Sequence, residues 1–93
     1  MISVNMVGAN VYQVVLEGSQ AQYHRVTLSP SFYQVLCGRT NTQEWVLMHA
    51  FRLLIERQGR EHIAETFDLS ELSRQYPDFV CEIHRRLSYV PCV

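Results

Sequence analysis

The chain contains no lysine. All eight of its basic residues are arginine, which excludes a lysine Schiff base and a Walker-type phosphate loop and weighs against a generic phosphate-binding surface. Cysteine is sparse and odd in number. Cys37, Cys81 and Cys92 lie far apart, unlike the dense, even set of a secreted disulfide scaffold, so a reducing cytoplasm is the expected setting. Charge is scarce as well. With 18% charged residues and a net charge of −1, the chain has no long-range attraction for nucleic acid or an anionic membrane. No apolar run approaches the roughly 18 residues that span a bilayer, and the opening "MISVNMVGANV" lacks the basic-then-apolar order of a signal peptide.

What is present is globular. Hydrophobic residues make up 47% of 93, enough for a single domain over 1–93 that buries roughly 60–65% of its unfolded surface. The first thirty residues read as β. "ISVNMV" alternates Ile2, Val4 and Met6 against Ser3 and Asn5; "VYQVVL" is rich in β-branched and aromatic residues; "YHRVTL" returns as its partner. Gly8-Ala9-Asn10 marks a turn or bulge. The expected fold is α+β: a small antiparallel sheet of two or three strands in 1–28, then three or four helices over 29–87 packed on one face. A loosely held tail covers 88–93.

The helices are delimited by their own punctuation. Ser29 stands as N-cap, Pro30 in the first turn and Gly38 as the stop of the first. Asn41 and Glu44 have capping-box spacing before a longer helix that ends at Gly59. Wound at 3.6 residues per turn, that helix places His49, Arg52 and Glu56 on a narrow polar stripe and fills an arc of roughly 220° with apolar side chains. Such an arc implies a central helix or one shared with a second subunit. "REHIAETF" reads as a short helical turn. Asp68 and Glu71 repeat the capping-box spacing. In "RQYPDF", Pro77 ends one helix and opens another, making a corner whose second helix carries Phe79, Val80, Ile83 and Leu87 on its apolar side.

The series "VTLSPSFYQVL", "FRLLIERQGREHIAETFDLSELSRQYPDF" and "EI" resembles a group of small bacterial proteins of unknown function. These share a box of the type Phe-Asp-Leu-x-x-(Ile/Leu)-x-Arg-x-x-Pro after a helix ending in Leu-Leu-Glu-Arg. The likeness runs from Val26 to Ile83 and is most specific at Phe67-Asp68-Leu69, Arg74, Pro77 and Glu82. It departs at "RQYPDF", where the group tends to "RYFPEY", and at "RQGREH", where the group has a proline-containing turn. The resemblance implies a bacterial cytoplasmic protein and brings no activity or ligand with it.

Chemistry is thinly represented. Cys81-x-x-His84 has helical spacing, but a closed zinc site needs four ligands and no second tight pair exists. Cys37, at a helix C-terminus, is at the wrong end for thiol activation. Neither a nucleophile with its base nor an oxyanion cradle is recognisable, so no catalytic residue, metal or cofactor is expected. The strand-helix-turn-helix order of Tyr23–Arg57 matches ribbon-helix-helix regulators, in which Tyr23, Arg25 and Thr27 would read bases while Asn41 and Thr42 meet phosphate. The missing basic surface argues against this. The preferred reading is a non-catalytic protein-interaction module that binds another protein or itself as a homodimer. Arg74, Tyr76, Pro77 and Phe79 are its candidate partner surface, and a DNA-binding regulator is the alternative.

Overall fold

Period-two alternation draws the first third of the chain into strands. In the computed structural model, which describes residues 2–18, 20–37 and 41–87, β1 (Ile2–Gly8), β2 (Val11–Leu16) and β3 (Gln22–Thr27) form an antiparallel meander. Tyr12, Val14 and Leu16 are buried while Val11, Gln13 and Val15 between them are half-buried, so helices cover one face of the sheet only. Asn10 adopts the left-handed conformation (φ 60°), and the β1–β2 ladder slips between Met6 and Gly8. Residues 8–10 thus lie where a turn and a bulge meet. Met6, expected on the inner row, lies opposite Tyr12 but is 60% exposed, because an edge strand has a neighbour on one side only.

The sheet corrects the expected strand count. It has four strands rather than two or three, and it is mixed rather than antiparallel. β4 (Thr66–Asp68) runs parallel to β3 opposite Arg25–Thr27, giving the order β1-β2-β3-β4. It arises inside the segment assigned to helices, from a stretch read as a helical turn; only Arg60–His62 is helical there, as one 3-10 turn. Three residues carry no readable period, and tertiary hydrogen bonds make this strand. Arg25 N donates to Glu65 O (2.6 Å), Leu69 N donates to Thr27 O (2.9 Å), and the His24 ring donates through Nδ1 to Ala64 O (2.7 Å).

Four α-helices fill the other layer among the described residues. α1 (Pro30–Cys37) starts as expected, with Phe32 N donating to Ser29 Oγ (3.3 Å); its proposed stop, Gly38, lies outside the described residues, as do Cys92, the side chain of Cys37 and the tail 88–93. α2 (Gln43–Gln58) is capped by Thr42 rather than Asn41, the Thr42 hydroxyl accepting from Trp45 N (3.2 Å). Gly59 closes it at φ 82°, donating its N–H to Ile55 O. Asp68 is not a helix cap either. Its carboxylate accepts from Ser70 N (2.9 Å) and Ser70 Oγ (2.7 Å) in a tight local turn before α3 (Glu71–Gln75), and α4 (Phe79–Leu87) follows the Tyr-Pro-Asp corner.

α2 is the centre of the molecule. Val46, Leu47, Ala50, Phe51, Leu53 and Leu54 are buried, and the helix packs against β1, α1 and α4. Its wide apolar arc is therefore covered within one chain, and no second subunit is needed over it. Beyond its end, Arg60 ties the 3-10 turn to the β2–β3 hairpin. Its Nη2 donates to Leu16 O (3.0 Å) and Gln20 O (2.8 Å), and Nη1 donates to Glu17 O (3.2 Å). Gly18 leaves room for this: a Cβ there would lie 2.8 Å from Arg60 Nη1. Hydrogen bonds from a charged donor are worth about 1.5–3 kcal/mol. Arg60→Ala should accordingly lower the unfolding free energy by about 2 kcal/mol in urea titration, and Arg60→Lys, which lacks the planar fork, should recover only part of it.

Candidate interaction surfaces

The corner is held rather than offered. Phe79, a candidate partner contact, is 0% exposed and belongs to the core; that assignment is corrected, because the first turn of α4 lays its ring inward. Tyr76 is half-buried, packs against the core, and donates its hydroxyl to Gln58 Oε1 (2.7 Å). The Arg57 guanidinium lies 5.2 Å from the Tyr76 ring centre and forks onto Asp78, with contacts of 2.8 and 2.6 Å. Tyr76 N donates to Leu72 O and Phe79 N to Tyr76 O, so the chain turns without losing its backbone partners. Arg74 and Pro77 are the members of the set left exposed.

The nucleic-acid readers are divided between layers. Tyr23, Arg25 and Thr27 alternate with the buried His24 and Val26 and lie on the uncovered sheet face. Thr42 caps α2, which packs on the other face, and the backbone carbonyl of Asn41 accepts from the Tyr33 hydroxyl. The five residues do not form one surface. Along Arg25–Thr27, β3 is paired on both sides, with β2 antiparallel and β4 parallel, so a ribbon shared with a twin chain has no free edge there.

The reactive side chains are scattered. His84 accepts or donates at Val35 O through Nε2 (2.7 Å), which turns it toward α1, while Cys81 is exposed. Among the described residues no group of three His, Cys, Asp or Glu converges as metal ligands, and no helix is long and apolar enough to cross a membrane. The open edge of the sheet was missed by the sequence reading as a candidate. β1 pairs with β2 alone; among the described residues no strand lies on its other side. Its seven residues contain no charge and no proline, and Met6 and Val7 are 60% and 47% exposed. The signal was available in "ISVNMVG" as an absence of charged or proline gatekeepers. Comparison of the chain with models of protein families, with curated proteins and with solved structures finds no match.

Charge elsewhere is spent on joining α2 to α4. Arg86 forks onto Glu56 (2.9 and 2.7 Å) and reaches Glu82 through Nε (3.1 Å); Arg85 also binds Glu82. Hydrogen bonds from these arginines hold the Glu56 and Glu82 carboxyls below their usual range, and Arg57 does the same for Asp78. His49, whose ring meets that of Trp45 edge-on at 4.9 Å, is pushed below 6.5 by burial and then by Arg52 and Arg86. A lowered histidine stabilises the fold above its unfolded value near 6.5 and loses that as pH falls; the lowered carboxyls act above about 4 and lose theirs below it.

Two expectations follow. Unfolding free energy should decline gently as pH falls below about 6.5 and steeply below about 4. In urea titrations at stepped pH, His49→Gln should flatten the upper limb and Asp78→Asn should blunt the lower one. At the corner, Phe79→Ala should cost about 3–5 kcal/mol in urea titration, whereas Arg74→Ala should stay within about 0.5 kcal/mol of the parent.

Proposed function

We propose that this protein is a non-catalytic interaction module that associates with itself through the outer edge of β1. The observation that carries the reading is that edge: seven residues, uncharged, without proline, bearing exposed Met6 and Val7. An uncovered strand presents a row of unpaired N–H and C=O groups, and natural sheets normally blunt such rows with charge, proline or a bulge. Here the bulge is confined to the turn end, between Met6 and Gly8, leaving Ile2–Met6 in regular register.

A second β1 laid antiparallel across a two-fold axis satisfies both rows at once, because an isologous contact is complementary to itself. The product is a continuous eight-stranded sheet. It accounts for an uncharged edge better than a docking site for a charged partner does. The likeness of Phe67–Ile83 to small bacterial proteins, together with the sparse cysteines, supports a bacterial cytoplasmic setting for this assembly.

Sedimentation equilibrium is the direct test. A dimer is expected at micromolar concentration, and Asn5→Lys with Val7→Lys should leave a folded monomer, since two copies then bring like charges together at the seam. A parent protein that stays monomeric to about millimolar concentration would remove the proposal.

A further inference from the structure

The sheet has a second opening, of different chemistry. β4 lies opposite Arg25–Thr27 only. Arg25 N reaches Glu65 O and Thr27 O receives Leu69 N, so odd-numbered residues of β3 turn their backbone groups toward β4. By the same alternation the N–H and C=O of Tyr23 point to that side, where β4 does not extend. A cavity of about 370 Å³ occupies this place, lined on one side by Gln22, Tyr23 and His24 and on the other by Arg60, Glu61 and Glu65. That volume falls within the range of ligand clefts, about 300–1,000 Å³.

The lining has an excess of acceptors. Gln22 Oε1 and His24 Nε2 are buried and have no hydrogen-bond partner. Because His24 Nδ1 faces the Ala64 carbonyl at 2.7 Å, that nitrogen carries the hydrogen, and in the neutral ring Nε2 presents a lone pair. Glu61 and Glu65 add two carboxylates at the opposite wall. Arg60 does not offset them as a donor, since both its terminal nitrogens are directed at the carbonyls of Leu16, Glu17 and Gln20. Those same bonds, with the His24–Ala64 bond, fix the two walls relative to each other.

The geometry points to a docking slot for a short extended peptide that carries lysine or arginine. Its backbone continues the line of β4 and pairs with the N–H and C=O of Tyr23, as in strand addition to a sheet edge. Its basic side chains bring N–H donors to a wall that holds two carboxylates and two unpaired acceptors. Strand pairing supplies the attachment and the acceptor-rich lining supplies the choice of sequence. The slot is separate from the β1 edge, so a monomeric protein that still binds such a peptide leaves this inference standing while removing the one above.

The experiment is a titration of the full-length ¹⁵N-labelled protein with N-acetyl-Val-Lys-Val-Lys-amide, using N-acetyl-Val-Glu-Val-Glu-amide as the counterpart. Saturable shifts of the Tyr23 amide, the Gln22 side-chain amide and the His24 ring Nε2 are expected with the lysine peptide, and binding about tenfold weaker with the glutamate peptide. Glu61→Gln combined with Glu65→Gln, at two exposed positions whose change leaves the core intact, should weaken the lysine peptide several-fold. Absence of saturable shifts at millimolar peptide, equal binding of the two peptides, or shifts centred on Ile2–Gly8 would each overturn the assignment.

Discussion

The seat of Phe51 on the sheet is the contact on which the rest of the structure depends. Its ring, fully buried, lies 5.4 Å from that of His24 and 6.0 Å from that of Phe67, so one side chain of α2 bridges β3 and β4. Ordering the three residues of β4 costs roughly 3–6 kcal/mol in backbone entropy, and its few hydrogen bonds return a net of about 1 kcal/mol each. The ladder alone does not hold that strand. Burial of an aromatic or leucine side chain contributes about 1.5–3 kcal/mol, and half-buried Phe67 and fully buried Leu69 supply the balance only because α2 is there to cover them. The fourth strand is thus a product of the helix layer.

The absence of lysine has a structural counterpart. Arg57 and Arg86 each meet a carboxylate with two parallel contacts, and Arg60 distributes one guanidinium over three carbonyls. Each of these needs a planar fork rather than a point charge. Arg57 also lies over the Tyr76 ring, which joins the end of α2 to the corner between α3 and α4. Most of these pairs are solvent-exposed, so their contribution is one of register more than of stability. They decide which turn of α4 faces which turn of α2.

How much was legible in the sequence follows from how local each cause is. β1, β2 and β3 were readable because alternation is a property of neighbours, and α2 because its apolar arc and Gly59 are. The corner at Tyr76-Pro77-Asp78 was readable from the proline alone. β4 was not, because nothing in Thr66-Phe67-Asp68 distinguishes a strand from a turn until β3 lies alongside. The caps at Asn41 and Asp68 were misplaced for a related reason: several oxygen-bearing side chains near each start compete, and tertiary position selects Thr42 in one case and an isolated turn in the other. Phe79 was assigned to the surface because a corner exposes its apex; the buried side of the same corner begins two residues later.

The two edges of the sheet present opposite problems to a partner. β1 offers a long row of backbone groups with no charge to select or repel, a surface on which an identical strand is the natural complement. The free half of β3 offers one residue's worth of backbone pairing inside a cleft with two carboxylates and two unmatched acceptors, where a like strand of this chain finds little to satisfy them. Specificity comes from what a site leaves unpaired as much as from what it pairs, and only the second edge leaves buried acceptors. Its existence traces to the brevity of β4: had that strand run two residues further back, it would have covered Tyr23 and closed the slot. The same shortness that hid β4 from a reading of the sequence is what gives the folded sheet a place for another chain.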